Sequence, residues 1–317
     1  MAFLYAPSLE AAIIMVIRMV WILMAFGAAL ATSLTNVLAK IGIKDINSDF
    51  ATAYRTFVVL VAAALFCVAT GSFLSFPSLD WKNYLFLALS GLATGFSWLC
   101  YYKALQLGNI NQVAPIDKSS FILSSILFLI FFFDDTTKGG DPLTIGMLFL
   151  SMALMLIGTL LMIERKKDVL RKEGNRWVLF AFFSAVFAAL TSFFVKLGLQ
   201  GTSSSLGTFL RTGVVLAFSL LIVFSRHEFP KLKTITKRNW IFLTLSGLAT
   251  GIAWFLEYAA LNYQGSNPVA ITSIEKFSIA LTMLFSFFIL KEKFTKKMLL
   301  GLLLLLSAIG VMVAFAL

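Results

Sequence analysis

The chain has 317 residues, of which 60% are hydrophobic and only 13% charged, and its mean hydropathy is +0.93. Soluble domains carry about a quarter charged residues, so this composition excludes a water-soluble globular protein, and long apolar runs without strand-like alternation exclude an outer-membrane barrel. One histidine, His227, and two cysteines, Cys67 and Cys100, exclude a disulfide scaffold, a His/Cys metal site and most histidine-based catalysis, while the net charge of +11 sits mainly in loops beside apolar runs, which points to a membrane surface rather than nucleic acid.

In chain order, the first apolar run continues past Arg18 into a full span with no clear small-residue cleavage site, so it reads as a helix rather than a cleaved leader. A helix crosses the hydrocarbon core with about 20 apolar residues. Spans are predicted at 19–40, 50–70, 81–107, 112–133 and 142–163. The charge-rich stretch 164–176 follows as a linker, and spans at 177–198, 206–225, 239–262, 268–290 and 296–317 complete ten. The predicted fold class is an all-α membrane protein, with residues 1–163 as one five-helix repeat and 177–317 as the other.

The two halves repeat each other. Residues 83–105, NYLFLALSGLATGFSWLCYYKAL, match 239–261, NWIFLTLSGLATGIAWFLEYAAL, at 14 of 23 positions and an offset of 156. The same offset pairs Lys40 with Lys196 and Arg55-Thr56 with Arg211-Thr212, and an offset of 158 pairs Asp117-Lys118 with Glu275-Lys276. Five spans is an odd number, so the second repeat enters the membrane inverted relative to the first. Inverted repeats recur in secondary transporters, with the substrate site between the repeats near the midplane.

Loop lysines and arginines set the orientation. Sixteen lie on one side, in Lys44, the linker and the loops after the seventh and ninth spans, against Arg18, Lys82 and Lys138 on the other. The rule puts the sixteen in the cytoplasm and both termini outside, in a cell (inner) membrane.

Seven basic residues remain within spans: Lys40, Arg55, Lys103, Lys118, Lys196, Arg211 and Lys276. Three acids join them, Asp117, Glu257 and Glu275. A charge at a helix centre costs at least about 2.5–3.5 kcal/mol, so each is a candidate for substrate binding or gating. Helix position groups Lys40, Arg55, Lys103, Asp117 and Lys118 in one layer, and inversion puts Lys196, Arg211, Glu257, Glu275 and Lys276 in a matching layer near the opposite face. Two such layers flanking a midplane cavity suit alternating gates. For Lys40, Lys103 and Lys196 the competing reading is a side chain that snorkels to the interface. Trp98 and Trp254 are twins, as are Tyr102 and Tyr258; they either line a cavity and stack on a substrate or pack the helices. Gly91/Gly95 and Gly247/Gly251 form GxxxG pairs that let helix backbones approach closely. The in-span charges total seven positive against three negative, an excess that favours a substrate bearing a carboxylate or phosphate.

On the segments NVLAKIGIKDINSDFATAYRT, LSGLATGFSWLCYYKALQLGNINQVAPIDKSS, LEYAALNYQGSNPVAITSIEKFS and LKEKFTKKMLLGLLLLLSAIGVMV, the chain resembles the EamA-type proteins of the drug/metabolite transporter superfamily over almost its whole length. The resemblance implies ten helices in two inverted repeats and transport of small metabolites, often export. It departs in the first half, where FFDDTTKGGD stands in place of the LKEK type of loop. Many members keep both termini in the cytoplasm, the reverse of the charge count here. The expected function is a secondary transporter, exporter or exchanger, of a small polar or amphoteric metabolite by alternating access. Protons at Glu275, Asp117 or Glu257 are the candidate coupling ion. The alternatives are an uncoupled facilitator and a non-transporting membrane scaffold. No catalytic residue, cofactor or metal is expected, since no span holds a histidine and no Asp-rich or phosphate-cradling motif occurs. The expected partners are a small-molecule substrate and the bilayer, for a chain acting as a monomer.

Overall fold

The computed structural model describes residues 9–44, 46–107, 113, 116–117, 119–137, 140–162, 176–226, 235–291 and 295–316. The linker 164–175, Lys118, Lys138, His227, Glu292 and Lys293 lie outside the described residues, as does the side chain of Tyr102.

The described helices are α1 (Leu9–Gly42), α2 (Ser48–Ala69), α3 (Trp81–Leu107), α4 (Ser120–Phe131), α5 (Pro142–Met162), α6 (Arg176–Gly198), α7 (Ser204–Ser225) and α8 (Lys237–Asn262). They continue with α9, in two segments (Pro268–Glu275 and Phe277–Leu290), and α10 (Lys296–Ala316). Among the described residues nine helices are long and apolar enough to cross a membrane, and α4 is a shorter apolar one. The fold is a helical membrane bundle of two repeats.

The starts of the helices are written in the sequence. Asn47 accepts hydrogen bonds from the N–H groups of Asp49 and Phe50 to cap α2, and its twin Ser203 accepts from Leu206 to cap α7. Thr236 and Asn239 form a capping box at α8. Asp141, outside the span, caps α5: the backbone and hydroxyl of Thr144 donate to its carboxylate at 2.9 and 3.0 Å and hold it below its ordinary pKa.

The repeats are interlocked rather than side by side. α1 packs on α8 and α3 on α6, so the first helix of each repeat lies on the third helix of the other, while α2 meets α7 and α5 meets α10. Twin hydrogen bonds fix this exchange. Asn83 Nδ2 donates to the carbonyls of Gly198 and Gln200 at 2.9 and 2.7 Å, and Asn239 Nδ2 donates to those of Gly42 and Lys44 at 2.9 Å each. Ser90 Oγ donates to the Thr191 carbonyl and Ser246 Oγ to the Thr35 carbonyl, both at 2.9 Å. Every partner in the second set is offset by 156 from the first, so one operation that swaps the halves carries each contact onto its twin. The twin glycines make the crossing possible. A Cβ on Gly91 would meet Val214 Cβ at 2.7 Å, and one on Gly247 would meet Val58 Cβ at 2.7 Å.

The structure corrects several expected boundaries. The helix α1 extends back to Leu9, while its membrane-spanning part, Met19–Gly42, starts at the predicted residue. The ninth span breaks at Lys276, whose N–H bonds the Ser273 carbonyl at 3.0 Å, a tightened turn between two helical segments. Two connections hold structure that periodicity did not signal: a 3₁₀ turn at Ser72–Ser78 and a one-turn helix at Phe133–Thr137.

Candidate functional site

The second repeat gathers most of its in-span charges around one arginine. Arg211 sits two turns into α7 and is only 3% exposed. Its Nε donates to Ser90 Oγ at 3.0 Å and its Nη2 to Thr94 Oγ1 at 2.8 Å, both on α3 of the other repeat. Those two residues are four apart, one turn on the same helix face, so they present a matched pair of acceptors to a planar guanidinium. The guanidinium carbon lies 4.5 Å from the Trp254 ring centroid and 5.7 Å from that of Tyr258, both on α8. This is cation–π geometry, favoured when the cation is desolvated. Arg211 thereby joins α3, α7 and α8 across the interface between repeats.

Acids complete the cluster. Glu257, on α8 beside Tyr258, has Glu275, Arg211 and Lys276 as the charged groups acting on it. Glu275 and Lys276 stand at the break in α9, with Lys276 Nζ 3.6 Å from Glu275 Oε2 and the two side chains 18% and 31% exposed. A helix break at this depth frees backbone polar groups and is tolerated where it lines a cavity.

The first repeat disperses the equivalent residues. Arg55 Nη2 donates to Thr250 Oγ1 at 3.1 Å, the twin of the Arg211–Thr94 bond. Asp117 accepts instead from Ser184 Oγ at 2.7 Å, within a Ser97–Ser184 hydroxyl pair that has alanines, Ala253 and Ala28, at the twin positions. Lys103 is exposed. Trp98 borders a space of about 10 Å³ with Asp49, Thr52, Ser219 and Ile222, room for roughly one water. Lys196 donates to the Leu261 carbonyl and lies 5.8 Å from the Phe132 ring.

Sequence reasoning missed Ser90, Thr94, Ser184 and the Asp49–Arg226 ion pair. The first two lie within the repeated SGLATG motif, whose glycines alone were read; the Ser and Thr four apart on one face were the available signal.

A model of the EamA-like transporter family matches residues 19–166 and again 175–314, one match per repeat. A curated relative from Sinorhizobium sp, described as an uncharacterized transporter in the cobO 3'region, is 42% identical over 142 residues, which is 45% of this chain and 95% of the relative. A solved structure titled only "Crystal structure of protein" superposes with a TM-score of 0.71 over 91% of this chain and 94% of that one, at 16% identity, a likeness of fold alone.

Proposed function

The chain belongs to the EamA-like transporter family, and from that premise we propose that it is a secondary transporter, an exporter or exchanger, which carries a small polar or amphoteric metabolite by alternating access. The observation that carries this reading is the reciprocal arginine contact: Arg211 holds α3 of the first repeat, and Arg55 holds α8 of the second. Each repeat therefore grips the other through a charged side chain bound to neutral hydroxyls. Such contacts can be exchanged as one repeat rocks against the other, because a neutral hydroxyl partner is given up at less cost than the partner of a buried ion pair. The substrate takes its place beside Arg211, with Trp254, Tyr258, Glu257, Glu275 and Lys276 around it, and no covalent bond of the cargo changes. Arg55, Asp117, Lys103, Lys118, Trp98 and Tyr102 act on the alternate side as gate residues.

In this reading the chain lies in the cell (inner) membrane as a monomer, with the basic loops in the cytoplasm and both termini outside, and protons serve as coupling ion. Purified protein in liposomes, loaded with a metabolite mixture and assayed with and without a pH gradient, tests it. Saturable flux that Arg211→Gln abolishes supports the transporter. Gradient-independent flux selects the uncoupled facilitator, and no flux for any metabolite leaves a scaffold. Labelling of single cysteines placed in the loops of intact cells tests the orientation.

A further inference from the structure

We propose that the Arg211 cluster binds a monovalent carboxylate at the free edge of the guanidinium, and that Glu257 takes up one proton as the anion arrives. This deepens the transporter reading and rests on it only for movement of the bound anion, since both events are equilibrium binding.

One hydrogen-bond donor of the cluster is unfilled. Arg211 is 97% buried and two of its nitrogens are occupied, yet Nη1 has no hydrogen-bond partner. Among the described residues no carboxylate lies within ion-pair distance of it. Buried cations are ordinarily paired, and leaving one unpaired is costly. The hydroxyls and the Trp254 face fix the orientation of the guanidinium without neutralising it. The edge that carries Nη1 is enclosed by the protein and unpartnered, and a planar oxyanion admitted there would complete it in the geometry by which arginine recognises carboxylates.

Charge balance then assigns Glu257. Lys276 faces Glu275 at 3.6 Å, so that pair is balanced internally. Arg211 and Glu257 remain, each the other's compensating charge without touching. Of the other titratable groups on helices packed against α8, Cys67 is a buried thiol on α2 and Arg176 opens α6. Arg55 is on Thr250, Tyr54 on Thr244, Lys196 on the Leu261 carbonyl and Asp49 on Arg226, and Lys40 lies in the last turn of α1. When an anion occupies Nη1, Arg211 no longer offsets Glu257, and the cation still acting on Glu257 is Lys276, which already faces Glu275. A proton from water then bonds to a Glu257 carboxylate oxygen, and anion plus proton add no net charge to the cluster. Two neighbouring acids disfavour a dianion.

Purified full-length protein in detergent and weak buffer, titrated with benzoate and its neutral isostere benzamide between pH 5.5 and 8, tests this. Tryptophan fluorescence reports binding and an indicator dye reports proton uptake. Benzoate should bind at least about tenfold more tightly than benzamide, the worth of one hydrogen bond to a charged group. It should carry up to one proton per bound anion, with affinity falling as pH rises. Glu257→Gln should lose the proton uptake and the pH dependence of benzoate binding, and Arg211→Gln should lose the preference for benzoate. Equal binding of benzoate and benzamide to the wild type overturns the anion site even where Arg211→Gln fails to fold. Binding of benzoate without proton uptake at any pH overturns the coupling. Absence of liposome flux with these binding results intact overturns the transporter reading and leaves this site standing.

Discussion

The two ends of the α2–α7 contact occupy the same place in the duplicated fold and are closed by different chemistry. At one end Arg226 Nη1 meets Asp49 Oδ2 at 2.7 Å, with Asp49 6% and Arg226 32% exposed. The twin positions at the other end are Thr70 and Ser205, whose hydroxyls lie 3.3 Å apart, with Ser72 2.7 Å from Thr70 and 3.2 Å from Ser205. Neutral hydrogen bonds contribute about 0.5–1.5 kcal/mol each, whereas removing one partner of a buried ion pair costs about 3–5 kcal/mol. Duplication supplies a symmetric frame, and a handful of substitutions makes one end harder to open. The ion-paired end lies beside Lys44 and Lys237, on the side of the basic loops.

The largest expected effect comes from breaking that pair. Arg226→Ala should destabilise the protein by about 2 kcal/mol in detergent unfolding, below the fully buried value because Arg226 is partly in contact with solvent. The swapped pair Asp49→Arg with Arg226→Asp should recover more than half. An Arg226→Ala protein as stable as wild type would erase the difference between the ends.

A second contrast sits in the GxxxG twins. A Cβ on Gly95 would meet the Phe218 ring at 2.3 Å, whereas one on Gly251 would meet Ala62 at 3.5 Å, ordinary contact. Gly95→Ala should therefore cost about 1–3 kcal/mol through overpacking. Gly251→Ala should be neutral or slightly stabilising, since alanine favours a helix over glycine by about 1 kcal/mol. Matched losses in unfolding measurements would mean that Phe218 and Ala62 do not distinguish the two crossings.

Where the twins agree, the responses should too. Asn83→Ala and Asn239→Ala each remove two bonds to helix-end carbonyls and should each lose about 1–3 kcal/mol. Their thermal shifts should coincide within error, and unequal shifts would show that the interlock is not symmetric. The smallest effect belongs to the hydroxyl end: Thr70→Val should change stability by less than about 1 kcal/mol. A Thr70→Val loss matching that of Arg226→Ala would invert the ranking of the ends.

Much of this architecture is legible in the chain. Span length, the offset of 156 and the odd span count specify a ten-helix inverted duplication, and the in-span charges mark the candidate residues. The first span was legible from Met19 onward, and the helical turns of α1 that precede it carry no span signal of their own. The break at Lys276 was invisible because hydropathy averages over a window wider than one turn. Ser184 and Asp117 come together through the α4–α6 packing, and no spacing rule relates residues 67 positions apart.

The sequence by itself determined which groups lie within the membrane and that they occur in twin positions, because burial in hydrocarbon demands long apolar helices and duplication leaves a fixed offset. Only the tertiary structure decided which of them meet. Helix periodicity gives each side chain a face but not a neighbour, and the neighbour depends on the exchange of α1 and α3 between repeats. That exchange brings Ser90 and Thr94 of one repeat to Arg211 of the other and leaves one of its buried nitrogens without a hydrogen-bond partner. It also places Arg55, with the same sequence context, on Thr250 of the other repeat.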